Sequence, residues 1–432
     1  MDKLNIAVDV LTSLVAVLML YRVIYTIIGF FAKGKRHPAA KANHRYGIVI
    51  AARNESAVIG NLLESIQKQD YDLSLVKVFV VADNCTDNGL TAAICREHGA
   101  IVYERFDTAK ARKGYALEYL FGEIRRDYGI DCVEGYIIFD ADNLLHPTYL
   151  TEINKAFDTG VDIAVGYRNI KNFDRNPISS AYGIHFYRST MQQHRPRALL
   201  GLPTHIAGTG YVMRSELLRD GWHFTSLTED TQFTLSSIAK GRHIEFCESA
   251  MFYDEQPYEI KVMLRQRIRW AKGRLFCFFR CAPGLLKGLF VKPKGAKWFA
   301  CYDMFFYSLP KALLSALFSM LYALVTAIVV GVSVSSGDAS STVQNLLVSL
   351  GTSYIGYAFI GALTVIREHS RIKCSPARLI LYVFTFPLFD LIGLPISIVS
   401  LLMRVKWKPI KHDEAIKVEE LVELPPSESS TP

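Results

Sequence analysis

Apolar positions are concentrated at the two ends of the chain, whereas the middle alternates short apolar runs with polar segments. The first apolar stretch, Leu4–Phe31, contains Asp9 and Arg22 and is followed by a basic flank. It has neither the positive start nor the small-residue cleavage site of a secretory signal peptide, so it is predicted to be one membrane-spanning helix. The basic flank predicts that the chain continues on the cytoplasmic side.

The middle region has the pattern of alternating strands and helices. Strands are predicted at Tyr46–Ala52, Leu75–Ala82, Ala100–Tyr103 and Gly135–Phe139, and helices at Ala57–Gln67, Asn88–His98, Lys110–Arg126 and Thr231–Ala239. Strands that alternate with helices predict a mostly parallel α/β sheet. Ligands of such sheets bind beyond the carboxyl ends of the strands, so polar residues that directly follow a strand are site candidates.

Three further apolar stretches follow, at Leu313–Val334, Thr342–Ile366 and Leu379–Met403. The first two are uncharged and long enough to span a membrane, and residues 335–341 between them are predicted to form a loop on the outer side. The third contains Asp390 and two prolines and has basic residues on both sides. It is therefore either a broken, partly re-entrant segment or an exception to the charge rule. The tail beyond Glu414, rich in Glu, Pro and Ser, is predicted to be disordered.

Composition narrows the class of protein. With 432 residues, 50% of them hydrophobic and 21% charged, the chain is too long for one ordinary soluble domain and too charged to be entirely membrane-embedded. The net charge of +8 suits a protein that meets anionic lipid or phosphate. Nucleic acid is not expected as a partner, because the basic residues follow membrane boundaries instead of forming a stripe. The eight cysteines show no metal-binding or disulfide spacing, so reduced cytoplasmic thiols are expected.

Acidic residues follow two of the predicted strands. Asp140 and Asp142 form an Asp-Ala-Asp pair that could present oxygens to one divalent ion, Mg²⁺ or Mn²⁺, although such pairs are often solvated turns. Asp83 ends another strand at the same sheet edge, where a nucleotide base or ribose would be bound. The alternative for Asp83 is an Asx turn with Thr86 or Asp87.

A third acidic site, Thr228-Glu229-Asp230, opens a predicted helix. Thr228 could cap this helix, and acidic residues are favoured at a helix start. A carboxylate in this position, facing an acceptor hydroxyl, would also suit a general base, and both interpretations can hold together.

Gln266, Arg269 and Trp270 fall on one face of a predicted helix, Val262–Phe279. The arginine fork matches phosphate geometry and the indole offers a flat apolar wall, so this face is a candidate anion clamp. The alternative is a juxtamembrane helix whose arginines rest among lipid headgroups. His194, His205 and His243 are expected to be ordinary surface or core histidines, and Cys277 and Cys281 to be packing residues.

These motifs, in this order and between apolar ends, resemble the D, DxD, TED and QxxRW signature of family 2, cellulose-synthase-like membrane glycosyltransferases. The resemblance covers roughly Tyr46–Pro283, and its supporting matches are Ala51–Glu55, Arg112–Leu117 and Tyr253–Pro257. It implies a catalytic domain of the GT-A type, an α/β fold with a mostly parallel sheet, inserted between transmembrane helices.

The resemblance also implies roles for individual residues. Asp83 would bind the uridine, and Asp140 and Asp142 would hold the diphosphate together with Mg²⁺ or Mn²⁺. Asp230 would be the catalytic base, with Glu229 beside it. The further substrate-binding residues that it implies are Ala52, Asn54, Glu55, Lys113, Gln266, Arg269 and Trp270.

The implied reaction is inverting transfer from a UDP-sugar, UDP-GlcNAc or UDP-Glc, to a polysaccharide or lipid-linked acceptor with a β-linkage. The catalytic domain would face the cytoplasm in a multi-pass plasma-membrane protein. The expected division has five parts: an N-terminal helix with its flank (1–36), the catalytic domain (37–283), an interfacial amphipathic segment (284–312), a transmembrane region (313–403) and a cytoplasmic tail (404–432).

Three departures from the polysaccharide synthases leave chain elongation open. One helix precedes the catalytic domain, only three apolar stretches follow it, and Ala207–Gly210 stands where synthases often carry an acceptor loop with cysteine or serine. Addition of a single sugar to a lipid is therefore an alternative. A degenerate nucleotide-sugar-binding membrane protein is disfavoured because every motif is kept, and a transporter because too few spanning segments exist.

Overall fold

One mixed sheet is the centre of the structure. The computed structural model describes residues 17–295, 297–310, 336–405, 408–410 and 412–422, together with positions 6, 10, 13 and 14. Within these residues eight strands form the sheet: β1 (Tyr46–Ala52), β2 (Val76–Asp83), β3 (Ile101–Arg105), β4 (Gly135–Asp140), β5 (Leu144–Leu145), β6 (Ile163–Ile170), β7 (Tyr211–Arg214) and β8 (Ile244–Asp254). Their order is β3-β2-β1-β4-β7-β6-β8-β5.

Helices connect the strands and extend beyond them. Over the described residues they are α1 (Tyr21–Phe31), α2 (Ile59–Gln67), α3 (Leu90–Glu97), α4 (Lys113–Tyr128), α5 (Tyr149–Asp158), α6 (Pro177–Ser189), α7 (Arg195–Leu199), α8 (Glu229–Ala239), α9 (Ile260–Phe290), α10 (Trp298–Ser308), α11 (Ser336–Glu368), α12 (Pro376–Leu391), α13 (Gly393–Leu402) and α14 (Val418–Leu421). A π-helical turn, Thr190–His194, joins α6 to α7.

The mostly parallel α/β sheet predicted from the sequence is confirmed. Strands β1 to β4 pair in parallel, and so do β6 and β8, whereas β7 and β5 run antiparallel to their neighbours. The four predicted strands agree with β1 to β4 to within two residues at each end. The predicted helix Val262–Phe279 is longer in the structure, because α9 continues to Phe290.

The sheet buries both of its faces under helices. Alternate residues of β1 point to opposite sides: Val49 belongs to the core cluster that includes side chains of α4, α8, α9 and α10, whereas Ile48 and Ile50 belong to the cluster that includes α2 and α5. This alternation is the period-two pattern of a strand, and burial on both faces accounts for the continuously apolar sequence of β1. A third cluster joins β6 and α6 to α11 and α12.

Two C-terminal segments are long and apolar enough to cross a membrane, Leu347–Arg371 and Pro376–Leu402. The second has a single-residue turn at Ile392, between α12 and α13, but helical hydrogen bonds continue across it. The choice between a re-entrant segment and an exception to the charge rule stays a prediction. The predicted loop at 335–341 is wrong for residues 336–341, which open α11 with serine and aspartate, residues favoured at helix starts. Leu313–Val334 lies outside the described residues, as does much of the N-terminal stretch before α1.

Two buried arginines of α7 join the apolar helices to the sheet. Arg195 is fully buried and pairs with Glu248 of β8 at 2.5 Å and with Glu368 of α11 at 2.6 Å. Arg197 pairs with Asp303 of α10 at 2.7 Å. Two tyrosines of α1 also donate to Asp303, so the three helices share one buried polar network.

The C-terminal tail is not disordered where the structure describes it. Residues 412–422, here called the C-terminal strap, lie against the α/β domain, and Val418 of α14 is buried. Lys417 lies 3.3 Å from Glu64 of α2, and Asn61 of α2 donates to the carbonyl of Ile416 at 3.2 Å. The prediction of a disordered tail is wrong for these residues, because ion pairs and hydrogen bonds with α2 hold the segment although it has no apolar core of its own.

Candidate active site

A cavity of about 320 Å³ lies at the carboxyl ends of β1, β2 and β4. Its lining contains every predicted site residue except Asn54: Ala52, Glu55, Asp83, Lys113, Asp140, Asp142, Glu229, Asp230, Gln266, Arg269 and Trp270. The cavity therefore brings together side chains that lie as far as 218 positions apart, from Ala52 to Trp270.

Asp83 is held by two arginines at the end of β2. Arg105 Nη1 donates to Asp83 Oδ1 at 2.6 Å, and Arg53 pairs with Oδ2 of the same carboxylate. Arg53 Nε also donates to the Asp83 backbone carbonyl at 2.7 Å. The predicted alternative, an Asx turn with Thr86 or Asp87, is not what the structure shows, because the carboxylate is turned toward these arginines instead.

Asn54 lies outside the cavity lining and connects two loops. Its side-chain oxygen accepts from the Thr86 backbone N–H at 2.7 Å, and its amide donates to Thr86 Oγ1 at 3.0 Å. Asn54 has a φ of 57°, in the left-handed region that asparagine tolerates better than most residues. It fixes the loop after β1 against the loop after β2, beside the Asp83 site.

Asp140 closes β4 and is anchored by Thr209 and Lys113. Its backbone N–H donates to Thr209 Oγ1 at 2.9 Å, and its carboxylate pairs with Lys113 Nζ. Lys113, the first residue of α4, also donates to the Gly208 carbonyl at 2.9 Å. Gly208 has a φ of 92°, and a Cβ there would lie 4.0 Å from Asp230 Oδ2, so this backbone passes close to the predicted base.

Asp142 is buried among other acids, and a histidine of the strap reaches it. His412 Nδ1 lies 3.1 and 3.0 Å from the two oxygens of Glu55, and its Nε2 lies 4.0 Å from Asp142 Oδ2. Burial raises the pKa of Asp142, and Glu55 and Asp140 raise it further. Burial alone would lower the pKa of His412, but Asp142 and Glu55 outweigh it and raise that pKa to about 10.

These residues fit a divalent cation that is completed by substrate. Within the described part of the chain, no three His, Cys, Asp or Glu side chains are arranged to hold a metal on their own. Mg²⁺ is commonly held by one or two carboxylates together with substrate phosphates, which requires no such cluster. Burial, with a smaller effect of Asp140 and Glu55, raises the pKa of the Asp142 carboxylate, so a cation would stabilise its charged form, and His412 lies beside it.

Glu229 and Asp230 form the first turn of α8, on the cavity wall. Burial, followed by the charge of Asp230, raises the pKa of Glu229 to about 7, and burial also raises the pKa of Asp230. Thr228 occupies the N-cap position, but the predicted side-chain cap is wrong: its Oγ1 lies 3.5 Å from Cys277 Sγ instead. Gly273 allows this approach, because a Cβ there would lie 2.6 Å from Thr228 Oγ1.

Gln266, Arg269 and Trp270 line the cavity from one face of α9. Gln266 Oε1 accepts from the Tyr182 hydroxyl at 2.6 Å, and Trp270 packs edge-to-face on Tyr182 at 5.9 Å between ring centroids. Arg269 Nη1 donates to the Leu227 carbonyl at 3.2 Å, which ties this face to the loop before Glu229. The amide and the indole are thus held in place by α6.

The sequence interpretation gave no role to several residues of the cavity, which are Arg53, Arg168, Asp254, Glu255, Arg274 and His412. Of these, Arg53, Asp254 and Glu255 fall within its supporting matches Ala51–Glu55 and Tyr253–Pro257. Asp254 ends β8, so its position after an apolar strand was a usable signal, as it was for Asp83. Burial raises the pKa of Asp254 to about 7, and Arg168 pairs with it at 3.2 Å. His412 had no such signal, since it belongs to a polar tail segment.

The histidines and cysteines that were expected to be structural are mostly so. His194 and His205 are buried with their rings 4.2 Å apart, and burial lowers the pKa of His194 to about 3. His205 nevertheless also lines the cavity. Cys277 and Cys281 are free thiols buried in the core beneath the sheet.

The fold first defines the class of protein. The structure matches the mannosyltransferase PcManGT from Pyrobaculum calidifontis, solved in complex with GDP-Man and Mn²⁺, with a TM-score of 0.55. The match covers 83% of this chain and 96% of that one at 17% sequence identity. At this identity the likeness establishes the fold alone, which is that of a GT-A glycosyltransferase, a mixed and mostly parallel sheet.

The sequence then identifies the family. The profile of the glycosyltransferase-like family 2 matches residues 44–273, more than half of the 432 residues. The chain belongs to this family and is a glycosyltransferase. The narrower resemblance to its cellulose-synthase-like members stays a prediction.

Two curated relatives are similar over the same region. The probable glycosyltransferase YdaM of Bacillus subtilis (strain 168) is 26% identical over 242 residues, which are 54% of this chain and 56% of YdaM. The beta-monoglucosyldiacylglycerol synthase of Nostoc sp. (strain PCC 7120) is 26% identical over 234 residues, 52% of this chain and 48% of the synthase. The chain spans about half the length of these relatives.

Proposed function

We propose that the protein transfers a single sugar from a UDP-sugar to a lipid acceptor at the cytoplasmic face of the plasma membrane, with inversion at the anomeric carbon. The observation that carries this proposal is the course of α9. Trp270 lines the cavity, whereas Phe276 and Phe279, further along the same helix, are 53% and 68% exposed. An acceptor bound along α9 would extend from the apolar surface at Phe276 and Phe279 to the carboxylates of the cavity.

The roles of the cavity residues follow from their charge. Asp230 would accept the proton of the acceptor hydroxyl while that oxygen attacks the anomeric carbon and the bond to UDP breaks. Lys113 and Arg269 would donate to the diphosphate. Asp142 and His412 would hold a Mg²⁺ or Mn²⁺ ion, whose binding would release the proton that His412 carries at neutral pH. The ion would neutralise the charge of the leaving diphosphate. Attack opposite to the leaving group would give a β-linkage from an α-linked donor.

The donor and acceptor are supported by different arguments. UDP-Glc or UDP-GlcNAc follows from the motif resemblance, in which Asp83 would bind the uridine. A lipid acceptor is supported by the relatives named as beta-monoglucosyldiacylglycerol synthases. The two helices that are long and apolar enough to span a membrane support a membrane location, and the basic flank after α1 supports a cytoplasmic catalytic domain.

The test is transfer by the purified full chain in lipid vesicles that contain a hydroxyl-bearing lipid. Radiolabelled UDP-Glc, UDP-GlcNAc and GDP-mannose are supplied in turn with Mg²⁺ or Mn²⁺, and the product is separated by size. We expect one labelled sugar per lipid from a UDP-sugar and no product from Asp142→Asn. A ladder of longer products would instead establish polymerisation, and preference for GDP-mannose would contradict the donor assignment.

A further inference from the structure

Four arginines line the cavity on the side of α6 and α9, and we call them the arginine cluster: Arg168, Arg188, Arg269 and Arg274. Two of them are neutralised by carboxylates of neighbouring elements. Arg168 pairs with Asp254, and Arg188 Nη2 donates to Asp390 of α12 at 3.2 Å. The positive charge that remains for a ligand therefore lies on α9.

Arg274 is an exposed member of the cluster that lines the cavity and makes neither a hydrogen bond nor an ion pair with any residue in the described part of the chain. Burial raises the pKa of Asp230, and the charges of Arg269 and Arg274 act against this increase. Arg269 donates one hydrogen bond, to the backbone carbonyl of Leu227. Arg274 follows Trp270 by one helical turn, so it lies toward Phe276 and Phe279, beyond the residues to which diphosphate binding is assigned.

Two buried histidines near Arg274, His185 and His205, carry no charge. Burial lowers the pKa of His185 well below its ordinary value, and Arg188 and Arg274 lower it further. Burial lowers the pKa of His205 in the same way, with His194 and Arg197 as the next causes and Arg274 after them. Both imidazoles are therefore neutral, so the positive charge at this end of the cavity comes from the arginines, and Asp230 is the carboxylate on which Arg269 and Arg274 act.

Gln193 adds a polar group that lacks a partner. It belongs to the π-helical turn Thr190–His194, a feature that often marks functional sites. Gln193 lines the same cavity, and its buried Oε1 atom accepts no hydrogen bond from the described residues. A buried carbonyl oxygen without a donor is unfavourable, and a ligand hydroxyl would satisfy it.

We propose that the acceptor is an anionic phospholipid whose headgroup carries free hydroxyls, such as phosphatidylglycerol. The inference rests on the proposed function and names the class of its acceptor. The headgroup phosphate binds Arg274, one headgroup hydroxyl donates to Gln193, and the acyl chains lie along the exposed phenylalanines of α9. A second hydroxyl attacks the anomeric carbon, its proton passes to Asp230, and UDP leaves as the bond to the sugar forms.

The experiment compares acceptors at equal membrane charge. One set of phosphatidylcholine vesicles contains phosphatidylglycerol, and a second contains diacylglycerol with phosphatidylserine, which supplies the same charge without a hydroxyl acceptor in its headgroup. Glycerol 3-phosphate in solution is a third acceptor. The wild type, Arg274→Gln and the control Arg280→Gln, an exposed arginine of α9 outside the cavity lining, are assayed for transfer and for binding of UDP with Mn²⁺.

We expect transfer to phosphatidylglycerol to exceed transfer to diacylglycerol by about tenfold or more. Arg274→Gln should lower it by about tenfold to a hundredfold, the range for a lost hydrogen bond between charged groups, with UDP affinity unchanged. Arg280→Gln should have no effect. Equal use of diacylglycerol would overturn this inference while leaving the proposed function intact. A parallel loss of UDP affinity in Arg274→Gln would assign that arginine to the donor, and product on glycerol 3-phosphate would exclude a lipid-specific site.

Discussion

Replacement of Asp230 by asparagine isolates the proposed general base. The change keeps the size of the side chain and its position in the first turn of α8, but it removes the ability to accept a proton. A general base supplies ~10²–10⁴-fold in rate. At about 1.36 kcal/mol for each factor of ten, the expected loss corresponds to roughly 3–5.5 kcal/mol of transition-state stabilisation.

The neighbouring acid provides the matched control. Glu229→Gln removes a charge from the same helix turn, and so tests whether any negative charge at this helix start would serve. Because the Asp230 charge raises the pKa of Glu229, the remaining acid in Asp230→Asn should ionise at lower pH than in the wild type. We expect Glu229→Gln to cost less than about tenfold, within the range of a single hydrogen bond.

The assay measures sugar transfer to lipid and, separately, the affinity for UDP with Mn²⁺ by calorimetry. If Asp230 acts as the base, Asp230→Asn loses transfer and binds UDP as tightly as the wild type. A fall in UDP affinity that matches the fall in rate would show that the residue supports the helix start or the donor. If Glu229→Gln lost sugar transfer and UDP affinity to the same extent, the assignment of Asp230 as the general base would likewise be refuted.

Three further predictions concern the same cavity. Transfer should fall as the pH drops below about 7, because the raised pKa of Glu229 means that the acidic pair takes up a proton there, and a rate–pH profile measures this. Arg269→Lys should lower the rate of transfer roughly ten- to a hundredfold, since a point donor replaces a planar fork. Trp270→Ala should weaken use of the acceptor and keep hydrolysis of the UDP-sugar. Full transfer in both variants would contradict the proposal that this face of α9 is an anion clamp. His412→Ala should weaken Mn²⁺-dependent UDP binding by on the order of tenfold, while the control His223→Ala, at an exposed position, should not, as titration calorimetry would show.

The parallel strands β1 to β4 were predictable because their information is local. Each of β1, β2 and β4 is an apolar run with polar residues at its end, and burial on both faces makes the signal nearly continuous. Asp83 and Asp140 were found by the same reasoning, since the last residue of a parallel strand lies at the edge where ligands bind. What this reasoning could not supply is which partner each carboxylate has, because Arg105 and Lys113 come from other strands and helices.

The C-terminal strap was missed for a different physical reason. Its contacts are ion pairs and backbone hydrogen bonds to α2, such as the pair between Lys417 and Glu64, which are separated by 353 positions. A segment of this kind has neither apolar periodicity nor a core of its own, so its composition is that of a disordered tail. Only the folded domain presents the surface that orders it, and His412 reaches the cavity as a result.

The buried network of α7 limits how this enzyme can be divided. Arg195 and Arg197 hold charges whose partners sit on β8, α10 and α11, and α1 contributes its tyrosines. A catalytic domain cut free of its apolar helices would leave these guanidinium groups buried without their full set of partners, which is strongly unfavourable. The catalytic unit therefore cannot be exchanged on its own. A chimera of two family members would need to take the sheet, α7 and the helices that neutralise the arginines of α7 from the same parent.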